Sequence, residues 1–232
     1  MTDQHHDSTP AVGNQISADI PDIAENLGWF KDCFQKICNG FADASLTSFG
    51  FVDTIWVPAS AMIPTTTNGA AAGLYEYATN DLMRAYYAFD TTTEEFVCFD
   101  VVMPEGWNKG TIKAKFYWSS ASGSSAADTV EWEIGAVAIG NDDALDATLG
   151  TAQVITDTVL TGTSGDLHIT ATTPAITVGG TPALGDLVHF KISRNVGGTD
   201  DMAEDAWLFG VLIQVTQTFP DASGTNAIVA WS

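Results

Sequence analysis

Side chains that alternate between apolar and polar recur along the chain from about residue 52 onward. The stretch 112–118 carries apolar residues at every second position, with Lys113 and Lys115 between them. The stretches 130–134 and 188–192 repeat this alternation. A period of two is typical of a β-strand with one buried face. The pattern predicts strands at Val52–Val57, Leu82–Phe89, Glu95–Met103, Thr111–Ser119, Thr129–Ile139, Gln153–Leu160, Leu167–Thr172, Ala175–Val178, Leu187–Arg194 and Trp207–Thr218.

Turn-forming residues separate these predicted strands. Pro104-Glu105-Gly106, Gly140-Asn141-Asp142 and Gly179-Gly180 are examples, since glycine, proline and asparagine favour tight reversals. Many short strands joined by turns indicate an antiparallel β-sandwich, and eight strands in two sheets form a jelly roll. The fold class is therefore predicted as mainly β, a jelly-roll-like sandwich preceded by one α-helix. The acidic stretch 142–146 is predicted to form a single helical turn.

The segment before the strands has a different period. Its apolar residues are spaced alternately by three and four, which is a heptad repeat. The repeat consists of Ile20, Ile23, Leu27, Phe30, Phe34, Ile37 and Phe41. It predicts an amphipathic helix whose narrow apolar seam is an oligomer or attachment interface, and its large phenylalanines favour a trimer. The alternative is a helix that lies on the β domain of its own chain.

These patterns divide the chain into three parts. Residues 1–18 are predicted as a flexible arm, 19–50 as the heptad helix and a linker, and 51–232 as the β-sandwich. The longest clean apolar run, 206–213, is far shorter than the roughly 20 residues of a membrane span. The first residues lack the basic and apolar regions of a secretory signal. We therefore expect neither a signal peptide nor a membrane anchor.

The charge balance excludes two classes of partner. Eight Lys and Arg residues against 29 Asp and Glu residues give a net charge of −21. Binding to nucleic acid or to an anionic membrane requires clustered basic side chains, so neither partner is expected. The odd set Cys33, Cys38 and Cys98 contains no CxxC motif, which predicts reduced thiols in a cytoplasm.

Catalytic motifs are missing from the sequence. It contains no nucleophile elbow, no phosphate-binding loop and no zinc-protease helix. His5 and His6 lie in the polar arm, and His189 falls on the outward face of its predicted strand. We expect a protein that is not an enzyme and needs no cofactor.

Two acidic clusters are candidate Ca²⁺ sites, because Ca²⁺ takes six to eight oxygen ligands. Neither has the spacing of an EF-hand, and solvated acidic loops are the alternative interpretation. The candidate ligands are Asp142, Asp143 and Asp146 in one cluster and Asp200 and Asp201 in the other.

Tryptophan is abundant, with seven residues. Trp118 and Trp132 alternate with core positions and are predicted to be buried. Trp107 follows a turn and Trp231 lies near the end of the chain, so the strand pattern explains neither. Each is a candidate contact for a glycan, since exposed aromatic rings can stack on sugars, or for a neighbouring subunit, where tryptophan is enriched.

Several segments resemble tailed-bacteriophage virion structural proteins of the head-decoration, head-fibre or tail-fibre kind. They are Trp56–Pro64, Val102–Asn108, Asp142–Asp146, Gly179–Pro182 and Asp205–Val211, and the resemblance extends over about residues 52–218. The stretch 19–29 looks like the helical attachment segment of such proteins.

This resemblance implies a non-enzymatic structural role and transfers no active site. The expected location is the virion, with synthesis in the bacterial cytoplasm. The expected partners are other copies of the chain and the major capsid protein or another virion protein, as in a capsid decoration, cement or head-fibre protein. The alternative is the receptor-recognising, carbohydrate-binding domain of a tail fibre, whose partner would be a host surface glycan.

Overall fold

The computed structural model describes residues 49–219. Strands account for about half of this region, and the one helical element within it is a short 3₁₀ turn at Ala59–Ala61. The strands are β1 (Phe49–Pro58), β2 (Ile63–Pro64), β3 (Ala71–Tyr77), β4 (Leu82–Phe89), β5 (Phe96–Val102), β6 (Lys113–Ser120), β7 (Thr129–Ile139), β8 (Gln153–Thr158), β9 (His168–Ile169), β10 (Leu187–Arg194) and β11 (Ala206–Phe219).

The strands form two sheets. One has the order β3-β4-β11-β6-β9, with β1 also paired to β11, and the other has the order β2-β5-β10-β7-β8. The central pairs of both sheets, β4–β11, β6–β11, β5–β10 and β7–β10, are antiparallel. This arrangement confirms the predicted antiparallel, jelly-roll-like sandwich.

Aromatic side chains join the two sheets in the core. Trp132 on β7 stacks on Phe116 of β6, with ring centroids 5.3 Å apart, and meets Phe89 of β4 edge-on at 5.2 Å. All three side chains are fully buried, and so is Trp118. Each buried aromatic residue removes a large apolar area from water, so this cluster stabilises the packing of one sheet on the other. The predicted burial of Trp118 and Trp132 is confirmed.

Four elements differ from the sequence prediction. The strand β2 was not predicted, and the predicted strand Ala175–Val178 does not form, since Ile176 makes only an isolated bridge to Ile112. The strand β3 was not predicted, because its residues are mostly exposed on both faces and show no alternation. The predicted helical turn at 142–146 is wrong, since a turn at 141–142 is followed by irregular chain. Asp142 adopts a positive φ of 66°, and the Asp143 carboxylate accepts the Gly140 N–H at 2.9 Å, which closes a loop instead of a helix.

Other expectations lie outside the described residues. They include the arm, the heptad seam from Ile20 to Phe41, and Trp231, and the predicted domain boundaries stay predictions. Within residues 49–219, no helix has the length and apolarity to cross a membrane. In the same region of the chain, Cys98 forms no disulfide.

Candidate functional site

The outward face of the six-stranded sheet carries a set of aromatic side chains. Directly paired residues of antiparallel strands project from the same face. Tyr75 pairs with Arg84 and Tyr77 pairs with Leu82 across β3 and β4, so these four side chains share one face. Tyr87, on the opposite face of β4, points into the core. The hairpin β3–β4 therefore presents tyrosine and arginine outward.

A β-bulge in β11 adds another aromatic residue to this face. Leu208 pairs with Trp118, and Gly210 pairs with the next residue of β6, Tyr117, so Phe209 is an extra residue in its strand. A bulge of this kind redirects side chains locally. Leu208 points into the core, while Phe209 is half-buried at the outer surface.

Gly210 makes room for Trp56 of β1. A Cβ atom at position 210 would lie 2.5 Å from Cη2 of Trp56, which is too close for real atoms. The indole therefore lies directly against the backbone of β11, where any larger residue would displace it. Trp56 also meets Tyr117 edge-on, with ring centroids 4.9 Å apart, yet 46% of its surface stays exposed.

Further ring contacts extend the cluster across the sheet. Tyr86 stacks on Trp207 at 4.2 Å, Trp207 contacts Tyr75 at 5.2 Å, and Tyr75 meets Tyr77 edge-on at 4.8 Å. We call this set the aromatic face. Its members are Trp56, Tyr75, Tyr77, Tyr86, Tyr117, Trp207 and Phe209.

A groove of about 320 Å³ crosses the aromatic face. Its lining residues are Trp56, Tyr77, Leu82, Arg84, Tyr117, Gly165, Leu167 and Phe209. Burial, reinforced by the neighbouring Tyr75, raises the pKa of the Tyr77 hydroxyl above its ordinary value, so Tyr77 keeps an O–H donor at neutral pH. The groove thus combines one exposed indole and three half-buried aromatic rings with a few polar groups, as small-molecule sites commonly do.

The structure corrects the prediction for Trp107. This residue is only 2% exposed and belongs to the main hydrophobic core. Its backbone N–H closes the preceding turn by donating to the Pro104 carbonyl at 2.9 Å, and the turn directs the ring inward. Trp107 therefore offers no surface to a glycan or a subunit.

The first acidic cluster is an exposed loop. Asp142, Asp143 and Asp146 are all exposed, and Asp143 is occupied by its bond to the Gly140 amide. No group of three or more histidine, cysteine or acidic side chains within residues 49–219 is arranged to hold a metal ion. The structure does not bring these three residues together as a Ca²⁺ site.

The second acidic cluster is engaged in contacts within the protein. Asp200 forms a bidentate ion pair with Arg194, in which the Nε–Oδ2 distance is 2.8 Å and the Nη2–Oδ1 distance is 2.7 Å. Both side chains are buried. Arg194 donates its remaining hydrogen bonds to backbone carbonyl oxygens, including those of Phe89, Met202 and Glu204. The prediction that Asp200 is a Ca²⁺ ligand is corrected, because a guanidinium already neutralises it.

Asp201 also has a protein partner. Its Oδ1 accepts the Thr129 hydroxyl at 2.8 Å and the Thr129 backbone N–H. These bonds hold the pKa of Asp201 below its ordinary range. Asp201 therefore fastens the loop to the start of β7, and the Ca²⁺ prediction is corrected for this residue too.

A buried glutamate ties the same loop to β7. Glu131 is 6% exposed, and it accepts hydrogen bonds from the Thr199 hydroxyl at 2.8 Å and the Thr199 backbone N–H at 3.0 Å. Asn195 is a further donor to Glu131. Burial alone would raise the pKa of Glu131, but the bonds from Thr199 and Asn195 outweigh it and leave the pKa below 4.5.

The lowered pKa predicts a pH-dependent contribution of Glu131 to stability. Well above pH 4.5 the Glu131 carboxylate is ionised in both the folded and the unfolded state, and its full contribution to the free energy of unfolding is present. That contribution is lost as the pH falls through the lower pKa of the folded state. We expect Glu131→Gln to lower the free energy of unfolding at pH 7 by about 1–3 kcal/mol. Urea unfolding of both proteins should show this difference shrinking as the pH falls below the ordinary pKa of glutamate.

Glu133 provides a matched control on the same strand. Burial is the main cause that raises its pKa, so its charge is unfavourable in the folded state at neutral pH. Glu133→Gln should leave the free energy of unfolding at pH 7 unchanged or increase it. If Glu131→Gln behaved like Glu133→Gln at pH 7, the proposed anchoring role of Glu131 would be wrong.

The outward face of the five-stranded sheet carries a different set of groups. His189 Nδ1 lies 2.7 Å from Asp100 Oδ1, and Cys98 is two residues from Asp100 on the same strand. Burial raises the pKa of the Cys98 thiol, which keeps it protonated at neutral pH. Cys98 therefore lacks the thiolate character of a catalytic nucleophile.

Comparisons with known proteins add little to this picture. No protein-family model matches the chain, and no curated protein sequence is similar to it. Among solved structures, a Paenibacillus cycloisomaltooligosaccharide glucanotransferase is similar over 68% of this chain, with 12% identity and a TM-score of 0.38. The similar part is 18% of the length of that enzyme.

Two other solved structures show likeness of the same order. A family 11 carbohydrate-binding module from Clostridium thermocellum is similar over 72% of this chain and 88% of its own, with 10% identity and a TM-score of 0.31. A structure of infectious bursal disease virus is similar over 76% of this chain and 33% of its own, with 11% identity and a TM-score of 0.34. At these values the likeness carries no functional argument, so function is argued from the aromatic face itself.

Proposed function

We propose that the β-sandwich binds a saccharide in the groove of the aromatic face. The observation that carries this proposal is Trp56, whose indole rests on Gly210 and remains almost half exposed beside Tyr117. Keeping a large aromatic side chain in contact with water forgoes the gain from burying it. A clustered, exposed aromatic surface is typical of a binding site.

The chemistry of the groove suits a sugar. A pyranose ring has an apolar face of C–H groups and a rim of hydroxyls. Aromatic rings such as Trp56 and Phe209 can cover the apolar face, while the Tyr77 hydroxyl and Arg84 can bond to the rim. Tyrosine and tryptophan combine an apolar body with a polar handle, so they serve both purposes.

An array of immobilised glycans tests this proposal directly. The full-length protein should bind at least one saccharide class, and the Trp56→Ala variant should bind it much more weakly while keeping its thermal unfolding transition. Absence of binding to every saccharide, or binding that does not depend on Trp56, would refute the proposed function. This role is non-enzymatic, and it corresponds to the receptor-recognising alternative that the sequence suggested.

A second proposed role is structural, and the heptad seam supports it. Apolar residues at strict heptad spacing favour association between helices, and the resemblance to phage proteins points to a virion, assembled from chains made in the bacterial cytoplasm. In this proposal the seam forms a trimer or attaches the protein to the major capsid protein, as a decoration, cement or head-fibre protein. The two roles are compatible, because the seam and the aromatic face use different parts of the chain.

The seam can be tested by changing two of its members. Phe30→Asp combined with Phe34→Asp places charges in the apolar interface, so a trimer should dissociate to monomers in a mass measurement. The thermal transition of the β-sandwich should not change. Gln35→Asp, which lies outside the heptad positions, is the matched control and should leave the mass unchanged. A wild-type protein that is monomeric and does not bind purified capsids would contradict the structural role.

A further inference from the structure

We propose that the groove selects an anionic saccharide, and that Arg84 binds its acidic group. This inference rests on the proposed saccharide function and specifies the class of sugar. Arg84 is the charged residue among those that line the groove, which are otherwise aromatic, aliphatic or glycine. Its side chain is exposed.

Arg84 has no counter-ion in the part of the chain that the structure describes. The ion pairs within residues 49–219 are His189–Asp100 and Arg194–Asp200, and neither involves Arg84. The four lysines of the described region form no ion pair either, so Arg84 is distinguished by its place in the groove. Its guanidinium is available there for an external anion.

The position of Arg84 suits a ligand that also contacts the aromatic rings. Arg84 pairs directly with Tyr75 on β3, and its charge acts on the Tyr77 hydroxyl one position further along the face. A saccharide resting on the rings could therefore place one acidic group against the guanidinium and a hydroxyl against Tyr77. The contact would fix both the position and the orientation of the sugar.

The guanidinium defines the chemistry of the acidic group. Its planar fork of N–H donors matches an anion that offers two oxygens side by side, as a carboxylate or a sulfate does. The shared requirement is an oxyanion of this shape on a sugar ring. Carboxylated sugars, such as uronic and ulosonic acids, and sulfated sugars both meet it. The protein as a whole repels anions, so recognition should depend on this local contact instead of on long-range attraction.

The test compares acidic saccharides with neutral partners of the same backbone. Two pairs test a carboxylate: oligogalacturonate with its methyl ester, and a sialylated glycan with its asialo form. A third pair, a sulfated galactan and its desulfated form, tests a sulfate. The full-length wild-type protein should bind at least one acidic member about tenfold or more tightly than its neutral partner. The pair that shows this preference identifies carboxylate or sulfate as the group recognised.

Two variants separate a specific contact from a general charge effect. Arg84→Gln should weaken binding of the acidic saccharide at least about tenfold. It should weaken binding of the neutral partner much less, because there Arg84 contacts only uncharged hydroxyls. Lys191→Gln removes the same charge from the outward face of the five-stranded sheet and should change neither. Arg84→Lys keeps the positive charge but lacks the paired N–H donors of the guanidinium. Its affinity for the acidic saccharide should therefore lie between those of Arg84→Gln and the wild type.

The outcomes distinguish this inference from the function on which it rests. Equal binding of acidic and neutral partners, or an Arg84→Gln variant that binds like the wild type, would overturn the anionic preference and leave saccharide binding in place. Equal losses in Arg84→Gln and Lys191→Gln would also overturn it, because the effect would then be one of net charge. Failure to bind any saccharide, acidic or neutral, would remove the proposed function itself.

Discussion

Replacing Arg194 with alanine is expected to lower the free energy of unfolding by about 3–5 kcal/mol. The change leaves the Asp200 carboxylate buried without its partner, at a position where both side chains are almost completely shielded from water. It also removes donors from the carbonyl oxygens of Phe89 and Met202, which belong to β4 and to the loop before β11. Urea unfolding at pH 7 measures the loss.

A double variant shows whether the loss comes from the orphaned charge. Replacing both partners, as Arg194→Leu with Asp200→Leu, removes the buried charge together with the guanidinium, so it should cost less than Arg194→Ala alone. The Asp200→Asn variant should lie between the wild type and Arg194→Ala, because the amide still accepts one hydrogen bond. A loss below about 1 kcal/mol for Arg194→Ala, as for an exposed ion pair, would contradict the structural role of this arginine.

Truncating Trp56 to alanine should weaken saccharide binding by about 2 kcal/mol, or roughly thirtyfold, which is the usual cost of removing a central tryptophan. The variant removes the exposed ring that rests on Gly210, but it leaves the inner faces of the two sheets intact. Calorimetric titration with the saccharide identified on the array measures the loss. Thermal unfolding should confirm that the variant still folds.

Two further variants support the interpretation of that result. Phe96→Ala truncates an aromatic side chain on the outward face of the other sheet and should not affect binding. Gly210→Ala leaves Trp56 in the chain but puts a methyl group 2.5 Å from the indole and 2.6 Å from the Val57 carbonyl oxygen. It should displace both the ring and the adjoining part of β1, and so also weaken binding. Unchanged affinity in both Trp56→Ala and Gly210→Ala would place the binding site elsewhere.

The sequence predicted the sandwich well because alternation directly reflects burial. Phe116 and Trp118 occupy every second position, and both are inside, since a strand packed on one side can bury only alternate residues. The strand β3 lacks this signal because both of its faces meet solvent over much of its length. The residues at 142–146 have a composition that is compatible with a helix. The hydrogen bond from the Gly140 N–H to the Asp143 carboxylate and the positive φ of Asp142 favour a turn instead.

The aromatic face was not predicted, although part of its signal was present. By alternation Tyr117 must point outward between the inward Phe116 and Trp118, and the same argument places Trp207 outside. What the sequence could not show is that β1, β4, β6 and β11 lie side by side, or that a bulge brings Phe209 to the surface. Trp107 was chosen instead because it follows a turn, and a turn residue can still point inward.

The acidic clusters show a similar limit. Counting carboxylates cannot distinguish a cation site from a carboxylate that is already paired, since both place several acids in one loop. Arg194 lies six residues before Asp200, at the end of β10, in which buried and half-buried residues alternate. A basic residue at a buried position of this strand indicates that it pairs with a nearby acid, and this was the sequence signal that could have been used.

The distribution of tryptophan gives the molecule an internal optical probe. Trp107, Trp118 and Trp132 are sealed in the core, whereas Trp56 and Trp207 lie on the aromatic face. Indole emission shifts with the polarity around the ring, so the three sealed residues should emit at short wavelength whether or not a ligand is present. A sugar that covers Trp56 would exclude water from its ring and move its emission toward the blue. Occupancy of the groove could therefore be followed by light, without any label attached to the protein or to the sugar.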